Sequence, residues 1–97
     1  MKRMELIANR SVEKEIIDAL EKKIESFYYT EISELYGKGK SKYRLGTPVW
    51  PELNFMLISY LKDDDAAAAL ETIHEVKERF PQEGIKVFFM EAGLNSG

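Results

Sequence analysis

Lys38, Lys40, Lys42 and Arg44 stand without a single acidic residue in the stretch Gly-Lys-Gly-Lys-Ser-Lys-Tyr-Arg-Leu-Gly-Thr-Pro-Val-Trp-Pro, Gly37 to Pro51. Four cations grouped in this way suit an anionic ligand or an acidic protein surface, and Gly37 and Gly39 allow close approach to the backbone. The net charge of the whole chain is −3, so with +4 in this stretch the remainder carries −7. A solvated basic loop is the plainer alternative. Trp50, between Val49 and Pro51, is either an anchor that packs the loop on the core or an exposed contact for a partner.

Other candidates are weaker. His74 is the sole histidine and lies within helical reach of Glu71, Glu75 and Glu78, but one imidazole without a thiolate makes a poor transition-metal site. An ordinary surface histidine is the expectation. Asp63-Asp64-Asp65 could attract a hard cation, yet a helix N-terminus explains the run. No Ser/His/Asp set, Walker loop or paired-carboxylate motif stands out, so the expectation is a protein that is not an enzyme.

Three glycines and two of the three prolines fall between Gly37 and Pro51, which makes that segment a loop rather than a helix or strand. With 97 residues, 44% of them hydrophobic, the chain supports one domain, residues 1–97, with 37–51 as its loop and 93–97 as a frayed tail. A pI near 5.2 gives no broad basic surface for nucleic acid. The absence of cysteine excludes disulfides and thiolate metal sites. The first ten residues turn polar too early for a signal-peptide core, and no run reaches membrane-spanning length, so a cytoplasmic protein without membrane insertion is expected.

The loop needs elements to hold it. Met4–Ala8 reads as a strand, and Ser11 as the N-cap of a helix whose apolar stripe is Val12, Ile16, Ile17, Leu20 and Ile24. Aromatic and β-branched residues make 27–35 a second strand. Leu53–Leu61 alternates, placing Phe55, Leu57 and Leu61 on one face and Met56, Ile58 and Tyr60 on the other, so both faces are apolar. Asp63–Asp65 then offers an N-cap to a second helix with Ala66, Ala69, Leu70, Ile73, Val76 and Phe80 inward, stopped by Pro81. Ile85–Ala92 is the last strand.

Strand, helix, strand, strand, helix, strand is the ferredoxin-like βαββαβ order: an α+β fold with a four-stranded antiparallel sheet and both helices on one face. The other face would expose Met56, Ile58, Tyr60 and Phe88 or their opposite-face counterparts. At ~25 cal/mol per Å² of apolar surface, several kcal/mol of burial stays unused unless another subunit covers it. Periodicity does not choose between dimer and trimer.

The chain resembles the PII signal-transduction superfamily, in particular its short PII-like members, over residues 3–92. The likeness is carried by Thr30-Glu31-Ile32, by Gly37-Lys38-Gly39, by Gly46-Thr47-Pro48-Val49-Trp50-Pro51 with Asn54 beyond it, and by Glu83-Gly84-Ile85-Lys86-Val87-Phe88. It implies a homotrimer, a T-loop at 37–51 and a small-molecule ligand held between subunits, with Thr30, Gly37, Lys38, Gly39, Lys40, Lys42, Arg44, Trp50 and Gly84 as candidate ligand or partner residues. It also implies control of a partner protein such as a membrane transporter. An adenine nucleotide is the candidate ligand, although the phosphate-binding motifs are incomplete: Pro81-Gln82-Glu83-Gly84 keeps one glycine and adds an acid, and 91–95 contains no arginine. The rival reading is a trimer resembling the CutA divalent-cation tolerance family, which would bind metal through carboxylates and His74.

Overall fold

The structure is a computed structural model that describes residues 1–35 and 53–93. Its elements run β1 (Lys2–Asn9), a 3-10 turn (Arg10–Val12), α1 (Glu13–Lys23), β2 (Thr30–Leu35), β3 (Asn54–Leu61), α2 (Asp63–Arg79) and β4 (Ile85–Glu91). The strands form one antiparallel sheet in the order β2-β3-β1-β4. Each helix therefore crosses over an intervening strand, which is the split βαβ topology expected from the order of elements. No helix among the described residues is long and apolar enough to cross a membrane.

Alternation along the strands sorts the two faces. Met4, Leu6 and Ala8 of β1 and Phe55, Leu57 and Leu61 of β3 are buried and pack with Val12, Ile16, Leu20 and Ile24 of the first helical segment. Ala66, Ala69, Ile73 and Val76 of α2 complete this core. At 0% exposure, Phe55 and Leu20 fill its centre. Ser59 is a polar residue at this depth, and its hydroxyl donates to the Tyr28 carbonyl at 2.7 Å, so burial does not orphan it.

Several local expectations need correction. β1 extends from Lys2 to Asn9, beyond the apolar run, because pairing with both β3 and β4 satisfies the backbone of its polar ends. β2 begins at Thr30 rather than at residue 27: Ser26 takes a positive φ of 57°, and Phe27 leaves the ladder to plug the core. Ser11 is not an N-cap. The Asn9 side-chain carbonyl accepts from the Ser11 N–H at 2.8 Å, capping the 3-10 turn that precedes α1. The cap position of α2 is Lys62, without a side-chain bond, while Asp63, Asp64 and Asp65 occupy the first turn, where the helix dipole favours negative charge. Leu70 is exposed. Thr72 is buried in its stead, its hydroxyl donating to the Ala68 carbonyl at 2.8 Å.

Candidate functional site

Tight hydrogen bonding at one end of the sheet surrounds the place from which residues 36–52 depart. β1 and β2 end there and β3 and β4 begin there, since Asn9 is paired with Asn54, Asn54 with Leu35, and Ala8 with Ile85. The turn after β1 is the hub. The Arg10 N–H donates to the Leu53 carbonyl at 3.0 Å, the Asn9 N–H to the Gly84 carbonyl at 3.4 Å, and the Ser11 hydroxyl to Glu83 Oε1 at 2.9 Å. Leu53 and Gly84, which lead into β3 and β4, are thus fixed to one short segment.

Gly84 lies in this hub and is exposed. A Cβ built on it would meet nothing within 4 Å, so packing in the single chain does not demand a glycine there. Open space above a glycine backbone is what a ligand approaching the amides would use. Glu83 beside it engages Ser11, which is a different role from the phosphate contacts of a Gly-rich loop.

Thr30 lies elsewhere. It starts β2, pairs with Ile58 and lines a shallow groove of about 230 Å³ with Tyr28, Tyr29, Ser59 and Tyr60. β2 and β4 are opposite edges of the sheet, so Thr30 and Gly84 do not meet within one chain. His74 is exposed on α2, and among the described residues no three His, Asp or Glu side chains converge as a metal site. Gly37, Lys38, Gly39, Lys40, Lys42, Arg44 and Trp50 lie outside the described residues.

The sheet face opposite the helices is apolar around a charged centre. Ile32 is 41% exposed, Tyr60 54%, Phe88 50% and Met90 40%, with Met56 and Ile58 half-buried beside them. In the middle, on β1, the Arg3 guanidinium contacts Glu5 Oε2 through Nε at 3.0 Å and Nη2 at 2.9 Å. Its Nη1 donates to the Tyr60 hydroxyl at 2.6 Å, and its cationic carbon lies 5.6 Å from the centre of that ring. This cluster was not singled out from the sequence. Its available signal was the pairing of opposite charges two residues apart on a strand, which places both on one face.

A second charged contact lies by the edge strand on the helical side. The Glu13 side chain at the start of α1 shares a hydrogen bond with Glu31 of β2, and this bond, with burial and the Glu13 charge, pushes the Glu31 carboxyl above its ordinary value. Arg10, paired with Glu13 at 3.5 Å, opposes the shift. Burial also raises the Tyr29 phenol, aided by Glu21, Glu31 and Glu13.

No protein-family model and no curated protein sequence matches the chain. Solved structures do. The chain is similar to CPII, a nitrogen regulatory PII-like protein from Thiomonas intermedia K12 bound to ADP, AMP and bicarbonate, with a TM-score of 0.66 at 19% identity over 97% of this chain and 93% of that one. It is similar to a PII-like signaling protein from Thermus thermophilus, with a TM-score of 0.64 at 18% identity over 92% of this chain and 82% of that one. A DUF3240 family protein from Shewanella baltica aligns with a TM-score of 0.56 at 16% identity over 99% of this chain and 93% of that one. Likeness at this level of identity establishes the fold, not what it binds.

Proposed function

From a PII-like fold as premise, we propose that this chain is a non-catalytic regulatory protein that assembles as a homotrimer and binds a small ligand, an adenine nucleotide, between its subunits. The ligand controls a partner protein, such as a membrane transporter, through the basic segment 37–51. One observation carries the reading: Thr30 and Gly84 stand on opposite edges of a sheet with a bare apolar face. Both can line one pocket only where the β2 edge of one copy meets the β4 edge of another. Covering the bare face and closing that pocket are then the same event.

The described end of the sheet offers few cations for phosphates. Arg10 is engaged with Glu13, and Glu83 with Ser11. Lys38, Lys40, Lys42 and Arg44, with Lys86 exposed near the start of β4, supply the positive groups for the phosphates. Occupancy favours the arrangement of 37–51 in which these cations face the ligand, and withdraws them from an acidic partner surface. A ligand shifts such an equilibrium by its differential affinity for the two arrangements.

Likeness to CPII, solved with ADP, AMP and bicarbonate, supports the choice of probes. Titration calorimetry with ADP and AMP, each with and without bicarbonate, tests the reading. Saturable binding that weakens when Lys38, Lys40, Lys42 and Arg44 are neutralised together is the expected result. An absence of binding to any adenine nucleotide would overturn the nucleotide assignment.

A further inference from the structure

The centre of the exposed sheet face carries a charge pattern that a second copy of this chain would complement. Arg3 and Glu5 lie side by side on the central strand β1, facing away from the core, with Tyr60 on one flank and Phe88 and Met90 on the other. Their side chains are only partly exposed, 32% for Arg3 and 26% for Glu5. An apolar face alone would let two copies slide over one another. A cation beside an anion defines a direction.

We propose that second copies of this chain cover the face and that Arg3 of each copy reaches Glu5 of its neighbour, so that the Arg3–Glu5 pair sets the register of self-assembly. The proposal rests on the homo-oligomeric reading above and names the residues that specify it. Both contacts of Arg3 with Glu5 converge on one carboxylate oxygen, Oε2. The second carboxylate oxygen is thereby left for another donor, and a guanidinium has donors enough to bridge two carboxylates. Each copy supplies one cation and one anion at the centre of the face, so a closed arrangement that sets Arg3 of one copy against Glu5 of the next leaves neither of the two unmatched. A foreign partner would need to carry that same pattern. Burial of such a pair in an apolar interface penalises any register that leaves either charge unmatched, which makes it a device for specificity more than for affinity.

The test uses Arg3→Glu, which leaves two acids on the face, Glu5→Arg, which leaves two bases, and the swapped double variant. Light scattering and native mass spectrometry give the oligomeric state over a dilution series, and circular dichroism melts establish that each variant folds. An oligomeric wild type, single variants whose dissociation concentration rises roughly tenfold or more, and a mixture of the two singles that associates better than either alone are the expected results. The swapped double should assemble by itself, showing that the positions tolerate both side chains. Folded single variants that assemble as the wild type does, or a mixture no better than its components, would overturn the role of the pair while leaving the oligomer intact. A wild type that stays monomeric would leave the face to a foreign partner and remove both readings.

Discussion

The Ser11 hydroxyl donates to Glu83 Oε1 at 2.9 Å, joining the turn after β1 to the turn before β4 across 72 positions of sequence. The same segment holds Leu53 and Gly84 through backbone bonds, so one short turn anchors the residues that lead into β3 and into β4.

Breaking that contact should loosen the anchor without unfolding the domain. Ser11→Ala is expected to cost about 0.5–1.5 kcal/mol, the net worth of an intramolecular hydrogen bond, as read by urea denaturation. In a double-mutant cycle with Glu83→Gln the two changes should be non-additive. Fully additive effects would show that the two side chains do not act on each other.

Gly84→Ala separates stability from binding. With nothing within 4 Å of the added Cβ, the folded chain should be unchanged or stabilised by up to about 1 kcal/mol through a more restricted unfolded chain. Nucleotide binding should weaken, since the methyl group would occupy the approach to the backbone. A variant that binds as tightly as the wild type would place the ligand elsewhere.

Glu31 should make stability depend on pH. Its folded-state carboxyl titrates above the ordinary value, chiefly through the hydrogen bond shared with Glu13. The folded state therefore holds this proton more tightly than the unfolded state does. The associated stability is complete below the ordinary carboxyl pKa and is lost as pH rises through the folded value. Glu31→Gln should be more stable than the wild type at neutral pH, with a flatter profile on the alkaline side of pH ~4.5. Parallel urea-midpoint profiles for the two proteins would contradict this.

Leu20 and Phe55, both at 0% exposure, should dominate core energetics. Leu20→Ala is expected to cost about 2–5 kcal/mol and Phe55→Ala about 3–5 kcal/mol, each a large share of a small domain's stability. Thermal melts check this. Leu70→Ala is the control: Leu70 is 37% exposed on α2, and its loss should be far milder.

The contrast between Leu20 and Leu70 shows what could be read from the chain and what could not. Strand β3 was legible because strict alternation assigned Phe55 and Leu57 to one face and Met56 and Ile58 to the other, and the structure places them so. Leu70 has the right spacing and still points to solvent, because Ala66, Ala69, Ile73 and Val76 already fill the contact stripe and Thr72 closes its far side with its own hydroxyl bond. Phe27, Tyr28 and Tyr29 have strand composition, but Ser26 turns the chain and Phe27 serves the core as a plug. Asn9, not Ser11, makes the cap because a 3-10 turn, Arg10–Val12, precedes α1 and moves the first helical residue forward to Arg10.

For the candidate site, Thr30 and Gly84 are named through the motifs that carry the resemblance to short PII-like proteins. Their placement on opposite edges could not be read from those motifs, because it depends on the strand order β2-β3-β1-β4. The Arg3, Glu5 and Tyr60 cluster was harder still, since Arg3 and Tyr60 are 57 positions apart and meet only through the β1–β3 register.

Native mass spectrometry of the wild-type chain with ADP tests the central claim most directly, because it reads assembly and occupancy in one spectrum. The account predicts a homotrimer, about three times the 11.2 kDa of one chain, that carries up to one ADP per subunit, with no ADP on residual monomer. ADP retained by the monomer, or a trimer that takes none at saturating concentration, would contradict a ligand pocket built between subunits.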